Sequence, residues 1–172
     1  MPYISYKGQE IKLIGDDLEV GDRAPRLTLR TKNLAPVEIA PPGKTQILLS
    51  FPSLDTQVCS RQAKETNKRL ASMKNVEVII ISMDLPFAMD RFCATEGIDG
   101  IIVASDFAFK DFGKNYGVLI DNSIFAGLLA RSAFVIKDGE VVYKQLVEEL
   151  MGKIDFNDLE LFMHKSYGYS LN

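Results

Sequence analysis

The sequence predicts an α/β fold, and three observations carry that prediction. Continuous apolar runs at 45–51 and 76–82 are rich in Ile, Leu and Val, as in strands covered on both faces. A helix-compatible segment follows each run, 57–73 after the first and Asp84 to about Thr95 after the second, so strand and helix alternate. The pair Asp138-Gly139 then joins two further strand candidates as a tight hairpin.

Taken in order, residues 1–20 alternate around Lys7-Gly8-Gln9, with Tyr3-Ile4-Ser5-Tyr6 before and Ile11-Lys12-Leu13-Ile14 after, and read as a β-hairpin. Short strands are expected near 27–30 and 37–39, and Pro41-Pro42-Gly43-Lys44 breaks the chain before the central strand at 45–51. Pro52 opposes continuation of that strand, and Asp55 and Thr56 are good N-cap types for a helix over 57–73. Its buried side is expected to carry Val58, Ala63, Leu70 and Met73. Pro86 suits the first position of the next helix, which ends ahead of Gly97. A short strand at 101–104, a helix at 107–115, the hairpin of 133–137 with 141–144, and a helix capped by Asp155 complete the chain. Phe156, Leu159, Phe162 and Met163 form the apolar stripe of that last helix, and 166–172 read as a loose tail. Strand, helix, strand, helix, strand, hairpin and final helix is a thioredoxin-like order, here with an N-terminal β-hairpin extension.

Length and composition set bounds on function. The 172 residues suit a single domain spanning 1–172, and 47 % hydrophobic with 25 % charged residues fits a soluble globular protein. A formal net charge of −3 gives no electrostatic case for nucleic acid. No apolar run approaches the roughly 20 residues of a membrane span, and the N-terminal stretch lacks the pattern of a signal peptide. The expected compartment is therefore the cytoplasm, where thiols are kept reduced.

The two cysteines, Cys59 and Cys93, and the one histidine, His164, are too few for a zinc site of cysteine and histidine. Their separation excludes a CxxC redox motif and leaves two unrelated buried thiols or a transient catalytic disulfide. Cys59 falls in the first turn of a helix, where unpaired backbone N–H groups and the helix dipole favour a thiolate, the reactive form of sulfur. A small apolar core residue is the other reading of that position. Cys93 lies between apolar neighbours, Met89 and Phe92, and His164 reads as a surface residue.

One fragment adds to this. Pro52-Ser53-Leu54-Asp55-Thr56-Gln57-Val58-Cys59 carries P-x-x-x-T-x-x-C, the signature of the peroxiredoxins. The chain resembles their thiol peroxidase subfamily, of the atypical two-cysteine type. Ser82-Met83-Asp84-Leu85-Pro86-Phe87-Ala88, Arg91-Phe92-Cys93, Ala94-Thr95-Glu96-Gly97-Ile98, Tyr116-Gly117-Val118 and Gly127-Leu128-Leu129-Ala130-Arg131-Ser132 also match. The resemblance runs from the N-terminal hairpin to the last helix and stops at Lys165.

The resemblance implies a peroxidase in which Cys59 is the peroxidatic cysteine, forming a sulfenic acid, and Cys93 the resolving cysteine, closing an intrachain disulfide. Arg131 matches the active-site arginine, Thr56 the motif threonine and Pro52 the proline that shields the thiolate. Each pKa unit of thiol activation requires about 1.4 kcal/mol, more than the roughly 0.3–1 kcal/mol of a surface helix dipole. The arginine is the second positive source that this requires, although an arginine is ordinarily a solvated surface cation. The resemblance further implies hydrogen peroxide and organic hydroperoxides as substrates, thioredoxin as reductant, a homodimer, and no metal or other cofactor, because sulfur carries the electrons. A redox sensor that passes a disulfide to a regulatory partner would use the same thiolate chemistry.

Overall fold

The β-branched and leucine-rich runs become the centre of a seven-stranded sheet in the computed structural model, which describes residues 3–169. In chain order the elements are β1 (Tyr3–Tyr6), β2 (Gln9–Ile14), β3 (Leu27–Thr31), β4 (Pro36–Ile39), β5 (Thr45–Ser50), α1 (Gln57–Leu70) and β6 (Val76–Ser82). There follow α2 (Pro86–Glu96), β7 (Ile102–Ser105), α3 (Asp111–Asn115), β8 (Leu119–Ile120), β9 (Ser132–Lys137), β10 (Glu140–Leu146) and α4 (Phe156–Tyr167). The strand order of the large sheet is β10-β9-β5-β6-β7-β3-β4. β5, β6 and β7 run parallel, joined by α1 and α2 as crossovers, and β9 lies antiparallel against β5. This is the thioredoxin-like α/β arrangement that the element order predicts.

The apolar runs are continuous because both sheet faces are covered. Leu48, Ile79, Ile81, Phe134 and Ile136 point into one core, with Ile4, Ile11 and Leu13 of the hairpin and Phe112 of α3. Ile47, Leu49, Val78, Ile80, Ala133 and Val135 point into the other, which is closed by α1, α2 and α4. Cys59 and Cys93 both belong to this second core, so α1 and α2 bring the two sulfurs to the same face of the sheet.

Both hairpins form as the turn residues dictate. Lys7 and Gly8 (φ 49° and 80°) and Asp138 and Gly139 (φ 50° and 80°) take the left-handed conformations of a two-residue turn. They set the registers Tyr6 to Gln9 and Lys137 to Glu140. The N-terminal hairpin forms a separate three-stranded sheet with β8, a two-residue strand too short to show in the sequence pattern.

Four expectations need correction. α1 ends at Leu70 rather than 73, and its buried face is Cys59, Gln62, Ala63, Thr66 and Leu70, with Val58 and Met73 only partly covered. Gln62 is buried because the loop before α4 satisfies it: its side chain donates to Gly152 O at 3.2 Å and accepts from Ile154 N at 2.9 Å. α3 starts at Asp111 rather than 107, because Lys110 is left-handed (φ 56°) and Asp106 accepts the amides of Phe112 and Gly113. The tail is also tied further along than expected: α4 continues to Tyr167, Gly168 N–H donates to His164 O, and the Tyr169 hydroxyl donates to Lys74 O at 2.6 Å. The rest of the expected tail, 170–172, lies outside the described residues.

Candidate active site

Thr56 explains why the motif threonine stands three residues before the cysteine. It is the N-cap of α1, and its hydroxyl accepts the backbone N–H of Cys59 itself at 3.1 Å. The same hydroxyl donates to Ser53 O at 3.2 Å, which leaves one acceptor lone pair. Cys59 therefore occupies the first helical turn and is fully buried, as is Pro52 in the loop between β5 and α1.

Arg131 reaches this sulfur through sheet register. β5 and β9 are antiparallel neighbours with Ser50 opposite Ser132, so the residue before β9 stands beside the residue after β5. Ser50 fixes that end of the pair, its hydroxyl contacting Ser132 Oγ at 2.5 Å and donating to Ala130 O at 2.7 Å. The Arg131 guanidinium lies 5.3 Å from the centre of the Phe51 ring, within the range of a cation–π contact. Its Nη2 donates to Cys59 Sγ at 3.1 Å and to Leu150 O at 3.4 Å. Far from being a solvated surface cation, Arg131 is fully buried. Its Nε and Nη1 are buried with no hydrogen-bond partner among the described residues. Native interiors rarely leave such donors unsatisfied, and those that do occur call for a functional explanation.

The Arg131 guanidinium, which cannot deprotonate, stands beside this sulfur at the amino end of α1. Cys93 differs. It sits in the last turn of α2, where its carbonyl accepts the Gly97 N–H, and it is 2 % exposed; burial pushes its thiol pKa up, with Lys32 lowering it and Asp90 raising it to smaller extents. Both cysteines are free thiols in this conformation. The structure thus brings Cys59, Arg131, Thr56 and Pro52 together at the carboxyl ends of the parallel strands, the usual location of sites in such sheets. Cys93 lies in the same core on the neighbouring helix.

Two contributors were not singled out from the sequence. The Leu150 carbonyl steadies Arg131 from a loop with no motif of its own. Asp84, which the sequence places at the start of a helix and within the matched run 82–88 but gives no role, accepts from Ser53 Oγ (2.7 Å), Leu54 N (2.8 Å) and Ser82 Oγ (2.7 Å). The run Ser82-x-Asp84-x-Pro86 was the available signal, but its partners on a distant loop were not legible. His164 is exposed, its Nδ1 lying 2.6 Å from Tyr169 O. Among the described residues no group of three or more His, Cys, Asp or Glu side chains could hold a metal ion, and no helix is long and apolar enough to cross a membrane.

Comparison with known proteins identifies the family. Residues 19–160 match the family model described as Redoxin. The chain is 53 % identical over 162 residues to a thiol peroxidase of Campylobacter jejuni subsp. jejuni, covering 94 % of this chain and 93 % of that one. It is 42 % identical over 159 residues to a thiol peroxidase of Aquifex aeolicus, covering 91 % and 93 %. Among solved structures, a peroxiredoxin-like protein from Aquifex aeolicus superimposes with a TM-score of 0.92 at 38 % identity, over 96 % of this chain and 97 % of that one. A thiol peroxidase from Chromobacterium violaceum shares the fold, with a TM-score of 0.84 at 22 % identity over 95 % of each chain. The chain belongs to the redoxin family, as a thiol peroxidase of the peroxiredoxin type.

Proposed function

We propose that this chain reduces hydrogen peroxide and organic hydroperoxides with Cys59 as nucleophile and Cys93 as resolving cysteine. The observation that carries the reading is Arg131 Nη2 at 3.1 Å from Cys59 Sγ, with two further buried guanidinium donors unpartnered beside it. Those donors are free to bind the peroxide oxygens and the charge that develops on the leaving oxygen. The thiolate attacks the near oxygen, the O–O bond breaks, and the far oxygen leaves as water or alcohol after taking a proton. Cys59 is then a sulfenic acid. Thr56 orients Cys59 through its amide and offers its remaining lone pair to a peroxide O–H, and Pro52 keeps bulk water from the sulfur.

Cys93 next attacks the Cys59 sulfur. An S–S bond forms, the S–O bond breaks, and hydroxide leaves as water. A disulfide needs Cα atoms within about 7 Å, and both cysteines start within intact helices, so we infer that the first turn of α1 and the segment of α2 around Cys93 unwind for this step. Thioredoxin, a dithiol, reopens the bond, and the cycle runs in the cytoplasm, in a homodimer, with no metal or other cofactor. The conservative name of the relatives, thiol peroxidase, supports a thiol reductant without specifying thioredoxin.

The test is the rate of Cys59 oxidation. Cys59→Ser is expected to abolish turnover. Arg131→Met is expected to slow the reaction with hydrogen peroxide by about a hundredfold or more, the usual cost of losing a donor to a developing oxyanion. An unchanged rate in Arg131→Met would remove the arginine from the mechanism.

A further inference from the structure

We infer that Asp84 is a positioning residue that latches the segment carrying Cys59 to the segment carrying Cys93, so that it speeds the first chemical step and restrains the second. The inference rests on the two-cysteine reading above. The observation is that one half-buried carboxylate takes donors from both segments. On the Cys59 side it accepts from Ser53 Oγ at 2.7 Å and Leu54 N at 2.8 Å. On its own side it accepts from Ser82 Oγ at 2.7 Å, at the end of β6. Its backbone carbonyl accepts from Ser105 Oγ at 2.5 Å, which fastens the same residue to β7.

On one side Ser53 links Asp84 to the N-cap of the Cys59 helix, through its side chain at Asp84 and its backbone carbonyl at Thr56. Ser53 O accepts from the Thr56 hydroxyl, and that hydroxyl accepts from Cys59 N. On the other side, the next residues open α2, whose N-cap, Leu85, makes no side-chain cap bond. A helix without a cap lacks one ordinary source of end stability, and the Asp84 carboxylate, one residue before that N-cap, ties the entry to the Cys93 helix to the Cys59 loop. Hydrogen bonds to a charged acceptor are about twice as strong as neutral ones. While the latch is closed, the loop keeps Cys59 capped and within reach of Arg131. Disulfide closure requires both segments to move, and the latch resists that movement.

The two steps therefore respond to Asp84 with opposite signs, which a merely structural residue would not produce. The experiment is quench-flow mass spectrometry on reduced protein, resolving sulfenic acid formation at Cys59 from closure of the disulfide. In Asp84→Asn the first step is expected to slow by about tenfold, equivalent to about 1.4 kcal/mol, and the second to accelerate by a similar factor. Over-oxidation of Cys59 at high peroxide should fall accordingly, because closure competes with it. Ser53→Ala removes one donor and leaves the carboxylate, so it should shift both rates in the same two directions by less, and it guards against loss of folding in the first variant. If the parent protein closes its disulfide but both variants slow both steps, or change neither, the latch is refuted. If the parent forms no Cys59–Cys93 disulfide, the two-cysteine reading itself fails and the latch falls with it.

Discussion

Arg131 shows most clearly how function and stability oppose each other at single positions. A fully buried guanidinium with two unpartnered donors is a costly group, because desolvation of an ion takes several kcal/mol that only good partners offset. Methionine has similar length and no charge. Arg131→Met is therefore expected to raise the free energy of unfolding, or leave it unchanged, while it slows the reaction with peroxide by about a hundredfold or more. Denaturant unfolding of the reduced protein measures this; destabilisation by several kcal/mol would mean that the arginine is a structural pillar instead. The sequence identified this residue by its motif, together with Cys59, Thr56 and Pro52. It could not show the burial, since an arginine between apolar runs reads equally as a surface cation. Nor could it show Asp84 or the Leu150 carbonyl, whose partners lie some 30 and 19 residues away along the chain.

At the scale of elements, strands were more legible than helices. Burial on both faces writes itself as an uninterrupted apolar run, and β5, β6 and β9 lie within a residue of their expected positions. Helix faces were harder to read because they bury polar groups that find distant partners. Gln62 and Thr66 in α1 and Glu160 in α4 all point inward, the last paired with Arg69. β8 was too short to carry any periodic signal. The start of α3 depends on Asp106, which accepts two amides there while burial pushes its pKa up to about 6. A carboxyl raised in the fold binds its proton more tightly there than in the unfolded chain. Its contribution is present below the unfolded value near 4 and is lost as pH rises through about 6. Asp106→Asn should thus flatten the dependence of stability on pH between about 4 and 6, a window in which the parent protein loses up to about 3 kcal/mol. Denaturation curves across that range check it, and an unaltered slope would show that other carboxyls set it.

For the molecule as a whole, the two cores divide the labour. The hairpin and α3 seal one face of the sheet, and the other face carries α1 and α2 with both cysteines. Unwinding is expected to be confined to the second face. Hydrogen exchange of reduced and oxidised protein should show protection lost in 57–62 and 86–96 on oxidation, with β5, β6 and β9 unaffected. Equal protection of the two helical segments in both states would contradict the proposed conformational step. Raised proton affinity at Cys93 fits this division, since the thiol is kept neutral until α2 opens and exposes it to water.

The most direct measurement is the intact mass of the reduced protein after one equivalent of hydrogen peroxide, followed by peptide mapping. A loss of two hydrogens is expected, with a single linked peptide pair containing Cys59 and Cys93. A stable gain of oxygen at Cys59 with Cys93 still free, or no change at Cys59 at all, would contradict it.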